Sequence, residues 1–174
     1  MEKKTPDALR FGTVGSPQAA LASGTPAAIA NIRQLGLDHL EIAWVQSVRV
    51  TDEACAQIKA AGEAQKVTLS IHAPYFINLN SQTDELMEKS DARLLAAALA
   101  GYKAGARDIV FHPGSYHGQN PEDVYQRAKS KLLELTAILR DEGVAVYLRP
   151  ETMGKGALFG TLDACVRLSA EVPG

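Results

Sequence analysis

Val67-Thr68-Leu69-Ser70-Ile71-His72 alternates strictly between large aliphatic residues and small or polar ones. A period of two is the mark of a β-strand with one covered face. Val67, Leu69 and Ile71 fall on one side, and Thr68, Ser70 and His72 on the other. The alternation returns at Asp108–His112, where Ile109 and Phe111 oppose Asp108, Val110 and His112. It returns again at Val144–Leu148, where Val144, Val146 and Leu148 oppose Ala145, Tyr147, Arg149 and Glu151. Two earlier apolar runs, Arg10–Gly15 and His39–Trp44, complete a set of five predicted strands.

Amphipathic stretches at about 26–36, 52–66, 84–105 and 121–142 separate these strands, and a last one begins near Thr161. Three helix starts carry the expected signals: Thr25 before Pro26, Thr51 before the acidic pair Asp52 and Glu53, and Asn120 before Pro121. Gly36, Gly105 and Gly143 each stand where a helix C′ glycine belongs, shortly before the next strand. Regular β-α alternation implies α/β architecture, with a parallel sheet and its helices outside. No linker, charge block or low-complexity stretch interrupts the pattern, so residues 1–174 read as one domain.

Composition excludes little but is consistent. Hydrophobic residues make up 46% and charged residues 22% of the 174, ordinary for a globular chain with a core. A formal net charge of −2 gives no overall basic signature for nucleic acid, although a groove can hold positive charge locally. Cys55 and Cys165 are far apart and outside any CxxC pair, which reads as two small helix residues rather than a thiolate site. No apolar run approaches the ~20 residues of a membrane helix. The start, MEKKTPDALRFG, lacks the apolar segment of a secretory signal. The expectation is a cytoplasmic protein without a membrane partner.

Three landmarks recur at nearly equal steps. His112 follows His72 by 40 positions, and Glu151 follows His112 by 39, each close to the end of a predicted strand. Neighbouring parallel strands lie ~4.8 Å apart, so three side chains at consecutive strand tips span only about 10 Å. If the aliphatic faces meet the helices, both histidines and the glutamate point to the other side, at the C-terminal ends of the strands. Two imidazoles and a carboxylate suit Zn²⁺, with Mn²⁺ or Fe²⁺ as alternatives in a larger coordination sphere. A lone strand-end histidine is more often a hydrogen-bonded loop residue. Shared spacing, face and sheet end favour a metal for the three together.

SIHAPYFINLNS at 70–81, VFHPGSYHG at 110–118 and RPETMGKGALFG at 149–160 resemble, in order, three signature regions of the endonuclease IV family. The resemblance implies a TIM barrel of the xylose-isomerase-like superfamily, with a trinuclear zinc site that cleaves DNA 5′ to abasic sites. It implies that His72 and His112 are two ligands of the first zinc and that Glu151 is the catalytic carboxylate bridging two zincs. It places Tyr75 and Asn78 where a loop approaches the DNA. Packing over the barrel mouth is an equal alternative for Tyr75. His117 is a third DNA-facing candidate, with solvent exposure the plainer reading. Glu41 and Arg149 are expected to pair inside the barrel. Gly154, Gly156 and Gly160 serve either a close approach beneath the site or simple turns.

The chain departs from that family in extent. The remaining zinc ligands would lie on strands six to eight, and a complete barrel takes ~250 residues. The expectation is a partial (β/α)8 barrel of five βα units, with wet inward faces and two open edges that invite self-association. On its own it is expected to be inactive, abasic-site DNA being the partner of the complete protein. The competing reading is a metal-dependent sugar isomerase or epimerase of the same superfamily.

Overall fold

A computed structural model describes residues 9–17 and 23–173. Five strands and five helices alternate: β1 Gly12–Val14, α1 Thr25–Gln34, β2 His39–Ala43, α2 Asp52–Gln65, β3 Thr68–His72, α3 Asp84–Lys103, β4 Asp108–Phe111, α4 Pro121–Asp141, β5 Tyr147–Pro150 and α5 Leu162–Glu171. All strand pairs are parallel, and the sheet order is β1-β2-β3-β4-β5. A doubly wound sheet reverses direction at a switch point, whereas consecutive order is that of a barrel wall. Each helix packs beside the next one in the chain, making a single outer layer.

The core lies between sheet and helices. Ile42, Ile71, Ile109 and Phe111 are buried there, together with Ala97, Ala98 and Leu94 of α3 and Val124, Leu132 and Leu135 of α4. Each buried aliphatic side chain contributes about 1.5–3 kcal/mol. Gly101 lets α3 approach β3 and β4 closely, since a Cβ there would stand 2.7 Å from Ile109 Cδ1 and 2.9 Å from Ile71 Cγ1. The opposite face is more open: Ala43 and Arg149 are exposed on it. The same face carries the polar residues Glu41, Ser70, His72 and Asp108 in neighbouring register.

Helix starts follow the sequence at Thr51 and Asn120, whose side chains accept from the backbone N–H of Ala54 (3.2 Å) and Glu122 (2.9 Å). They depart from it at α1. Gly24, not Thr25, occupies the cap, and no side chain caps this helix. Pro26 fixes the first turn and draws Thr25 into it, so the threonine hydroxyl does not serve as the cap.

The fifth strand is displaced from its predicted span. Val144–Leu148 was expected, and the ladder with β4 begins only at Tyr147, opposite Asp108. The cause is the end of α4. Gly143 takes positive φ, and the Val144 N–H donates back to Leu139 O at 2.8 Å, closing a Schellman turn. Val144 and Val146 are buried as the apolar residues of that turn, which mimics a strand in sequence.

Candidate metal centre

His72 ends β3, His112 follows β4 directly, and Glu151 follows β5 directly. The sheet register therefore delivers all three side chains to one end of neighbouring strands. Glu151 Oε2 lies 3.2 Å from His72 Nε2 and 3.1 Å from His112 Nε2. One ligand atom from each of the three falls within 4.8 Å of the others. Donor atoms around a tetrahedral zinc, each about 2.0–2.1 Å from the ion, stand about 3.3 Å apart. The two separations from Glu151 match that spacing, and the whole set lies within 4.8 Å.

Hydrogen bonding supports the fit. His72 Nδ1 lies 2.9 Å from the Ala73 carbonyl, which can only accept, so that nitrogen carries a proton. Nε2 is then the nitrogen that faces Glu151 Oε2, at 3.2 Å. An Nδ1–H held by a backbone carbonyl is the usual way of orienting a metal-binding imidazole.

Tyr75 covers this group. Its ring stacks on His112 at 4.9 Å and meets His72 edge-on at 5.2 Å, while the residue remains 48% exposed. Packing over the two imidazoles is thus observed, with about half of the residue left exposed. Asn78 is committed within the protein: Oδ1 accepts from the N–H groups of Asn80 (2.9 Å) and Ser115 (3.3 Å). Its Nδ2 lies 3.0 Å from His117 Nε2, so His117 is exposed yet tethered, with φ at 49°.

Glu41 and Arg149 do not pair. The Glu41 carboxylate accepts from Ser70 Oγ at 3.0 Å, and Arg149 Nε donates to Asp108 at 2.7 Å while its guanidinium covers the Tyr147 ring. Each takes a partner on the adjacent strand, because β2 and β5 are separated by β3 and β4. Ser70 also lies 3.0 Å from His39 Nε2, and His39 Nδ1 lies 2.9 Å from Thr68 Oγ1. Burial lowers the His39 pKa, against the opposing pull of Glu41 and Asp108 and with a smaller contribution from Arg10. Of the three loop glycines, Gly160 alone is confined: φ is 127°, and a Cβ would stand 2.9 Å from Glu151 O. Gly154 and Gly156 have open space beside them and fit simple turns.

Sequence reasoning passed over Asn80 and Arg127. Asn80 is fully buried, and its side chain links the loops after β3 and β4. The available signal was Ile77-Asn78-Leu79-Asn80, two amides alternating with apolar residues that are themselves buried.

Comparison with known proteins bears on the fold and the family. A family profile described as xylose isomerase-like TIM barrel matches residues 29–173. An uncharacterized protein of Methanocaldococcus jannaschii is 34% identical over 164 residues, covering 94% of this chain and 58% of its own. A probable endonuclease 4 of Streptomyces avermitilis is 32% identical over 102 residues, 58% of this chain and 33% of its own. Among solved structures, endonuclease IV from Thermus thermophilus superposes with TM-score 0.72 at 28% identity, covering 95% of this chain and 60% of that one. D-psicose 3-epimerase from Clostridium cellulolyticum superposes with TM-score 0.73 at 16% identity, covering 94% and 60%. That second likeness shows the fold alone. The chain thus spans about 60% or less of the length of these proteins. Among the described residues, no helix is long and apolar enough to cross a membrane. The chain belongs to the xylose isomerase-like TIM barrel family and is related within it to endonuclease IV.

Proposed function

We propose that the complete protein of which these five βα units are part hydrolyses phosphodiester bonds at abasic sites in DNA, using zinc. The observation that carries this reading is the convergence of His72, His112 and Glu151 within the HAPY, HPGS and PETMGKG segments. Zinc bound there would lower the pKa of a coordinated water to about 7 and stabilise charge on the attacking and leaving oxygens.

This chain's own residues would do the following. His72 and His112 hold the ion through Nε2, with the Ala73 carbonyl fixing the His72 ring. Glu151 offers Oε2 to the same ion. Among the described residues its Oε1 meets no hydrogen-bond partner, which leaves it free for a second ion or a proton of the attacking water. Tyr75 shields the imidazoles and offers its exposed portion to the substrate. Among the described residues these three donors form the one such group, and the 174-residue chain is expected to bind at most one zinc, without catalysis.

Incision of an abasic duplex by the full-length protein, with and without chelator, tests the proposal. Cleavage that a chelator abolishes supports it; a zinc-loaded protein that leaves the duplex intact overturns it. Epimerisation of a ketose by that same protein would establish the alternative chemistry, which uses a similar donor set in the same fold.

A further inference from the structure

We infer that Asn80 is a positioning residue for Glu151, acting through the loop that follows β4. The inference rests on the metal reading of His72, His112 and Glu151. The two histidines stand on or directly beside strands at the centre of the sheet. Glu151 opens a long loop at the edge strand, and its side chain is 44% exposed against 7% for His72. The β4–β5 ladder reaches the backbone of Glu151 and no further along that loop.

What holds it is the loop of residues 112–120. The Phe159 N–H donates to Gly114 O at 3.0 Å, and the Tyr116 N–H donates to Ala157 O at 3.0 Å. Ser115 Oγ donates to the same Ala157 carbonyl at 2.9 Å, and Ser115 forms an isolated bridge with Leu158. Glu151 itself is tied by its N–H to Phe111 O at 2.9 Å. The Glu151 loop therefore moves with residues 111–116.

Those residues are in turn fixed by Asn80. Its Nδ2 donates to Ser115 O at 2.9 Å and reaches Tyr116 O at 3.5 Å. Its backbone N–H and that of Ser115 share Asn78 Oδ1. Arg127 of α4 donates to Asn80 Oδ1 and, at 3.2 Å, to Gln119. Both ends of a fully buried amide are engaged, the condition under which such a group rigidifies its surroundings. Asn80 touches no ligand. It joins the loop leaving His72 to the loop that steadies Glu151.

The test is a double-mutant cycle read by zinc titration calorimetry on the 174-residue chain, with Asn80→Ala, Glu151→Ala and both together. If Asn80 acts through Glu151, Asn80→Ala weakens zinc by about 10- to 100-fold in the parent chain, as loss of an orienting group does. In the Glu151→Ala background the same change costs less than about twofold, the scatter of uncoupled sites. Equal losses in both backgrounds, or a lowered melting temperature with unchanged affinity, overturn the role. Should Asn80→Ala not fold, Ser115→Ala removes the Oγ strut to Ala157 together with a longer bond, 3.4 Å, that Oγ accepts from the His117 N–H. It is expected to show the same coupling at smaller size, and additivity there overturns the role as well. A parent chain that binds no zinc overturns the metal reading and this inference with it. Zinc binding by the parent together with additive variants overturns this inference alone.

Discussion

The centre of the sheet and its edges are built on different terms. β3 and β4 place Leu69, Ile71, Ile109 and Phe111 under the helical layer, and all four are buried. β1 contributes three residues and leaves Val14 70% exposed; β5 has Arg149 exposed within it. The donor set divides along the same line. His72 and His112 rise from the centre, where packing fixes the backbone beneath them. Glu151 stands at the edge, where loop-to-loop hydrogen bonds replace packing. Rigidity at this site thus has two sources, apolar burial under the imidazoles and a polar collar around the carboxylate.

Deleting side chains from the two regions gives the largest expected contrast. Ile109→Ala should destabilise the chain by about 2–5 kcal/mol in urea unfolding, because its site is enclosed on all sides. Val14→Lys should change stability by within about 0.5 kcal/mol, as exposed substitutions do. Any self-association through β1 seen in sedimentation velocity should fall with it, since lysine on an edge strand discourages pairing. Equal losses of stability at the two positions would erase the distinction.

A comparable contrast is expected in metal binding. His112→Ala removes a donor atom and should weaken zinc by more than about 100-fold, beyond the usual loss from outer groups. His117→Ala removes one exposed hydrogen bond to Asn78 and should change zinc affinity little. Equal losses of bound zinc by elemental analysis would mean that the donor set is misassigned.

This division also explains what could be read in the sequence. The central strands announce themselves by alternation, because one face is packed and the other is not. The three landmarks at similar steps follow from that regularity. The fifth strand misleads, since Val144 and Val146 alternate around a helix-terminating turn before the ladder starts. The pairing of Glu41 with Arg149 fails because alternation reports a side chain's face but not its neighbours across the sheet. The Asn80 collar was illegible for a related reason. Its partners, Ser115, Tyr116 and Arg127, lie 35 to 47 positions away and are joined largely through carbonyls that carry no sequence mark.

Helix starts extend the comparison to smaller energies. α2 packs beside the central helix α3 and is capped by Thr51; α1 lies at the β1 side and begins at Gly24 without a side-chain cap. Thr51→Ala should cost about 1 kcal/mol in urea unfolding, the ordinary value of a lost cap. Thr25→Ala should cost almost nothing, because its hydroxyl caps no helix. A loss at Thr25 as large as at Thr51 would show that the edge helix depends on that threonine after all.

The smallest expected effect is a pH dependence from the concave face. His39 sits between Thr68 and Ser70 on β2, and burial holds its pKa below the ordinary 6.5 despite Glu41 and Asp108 nearby. Thr68 Oγ1 donates to Asp38 O at 3.1 Å, so His39 Nδ1 donates to Thr68, and its Nε2 faces the Ser70 hydroxyl that donates to Glu41. A lowered folded-state pKa means that the unfolded chain takes up the proton first as pH falls. Stability from this histidine is therefore complete above pH 6.5, declines below it, and is fully lost once pH passes the folded-state value. His39→Gln keeps a donor and an acceptor for the two hydroxyl neighbours but cannot titrate. Urea midpoints measured from pH 8 to pH 5 should fall more steeply for the parent than for His39→Gln. Superimposable pH profiles would show that the open concave face solvates His39 as freely as water does, and that the edge regions impose no desolvation on the side chains they border.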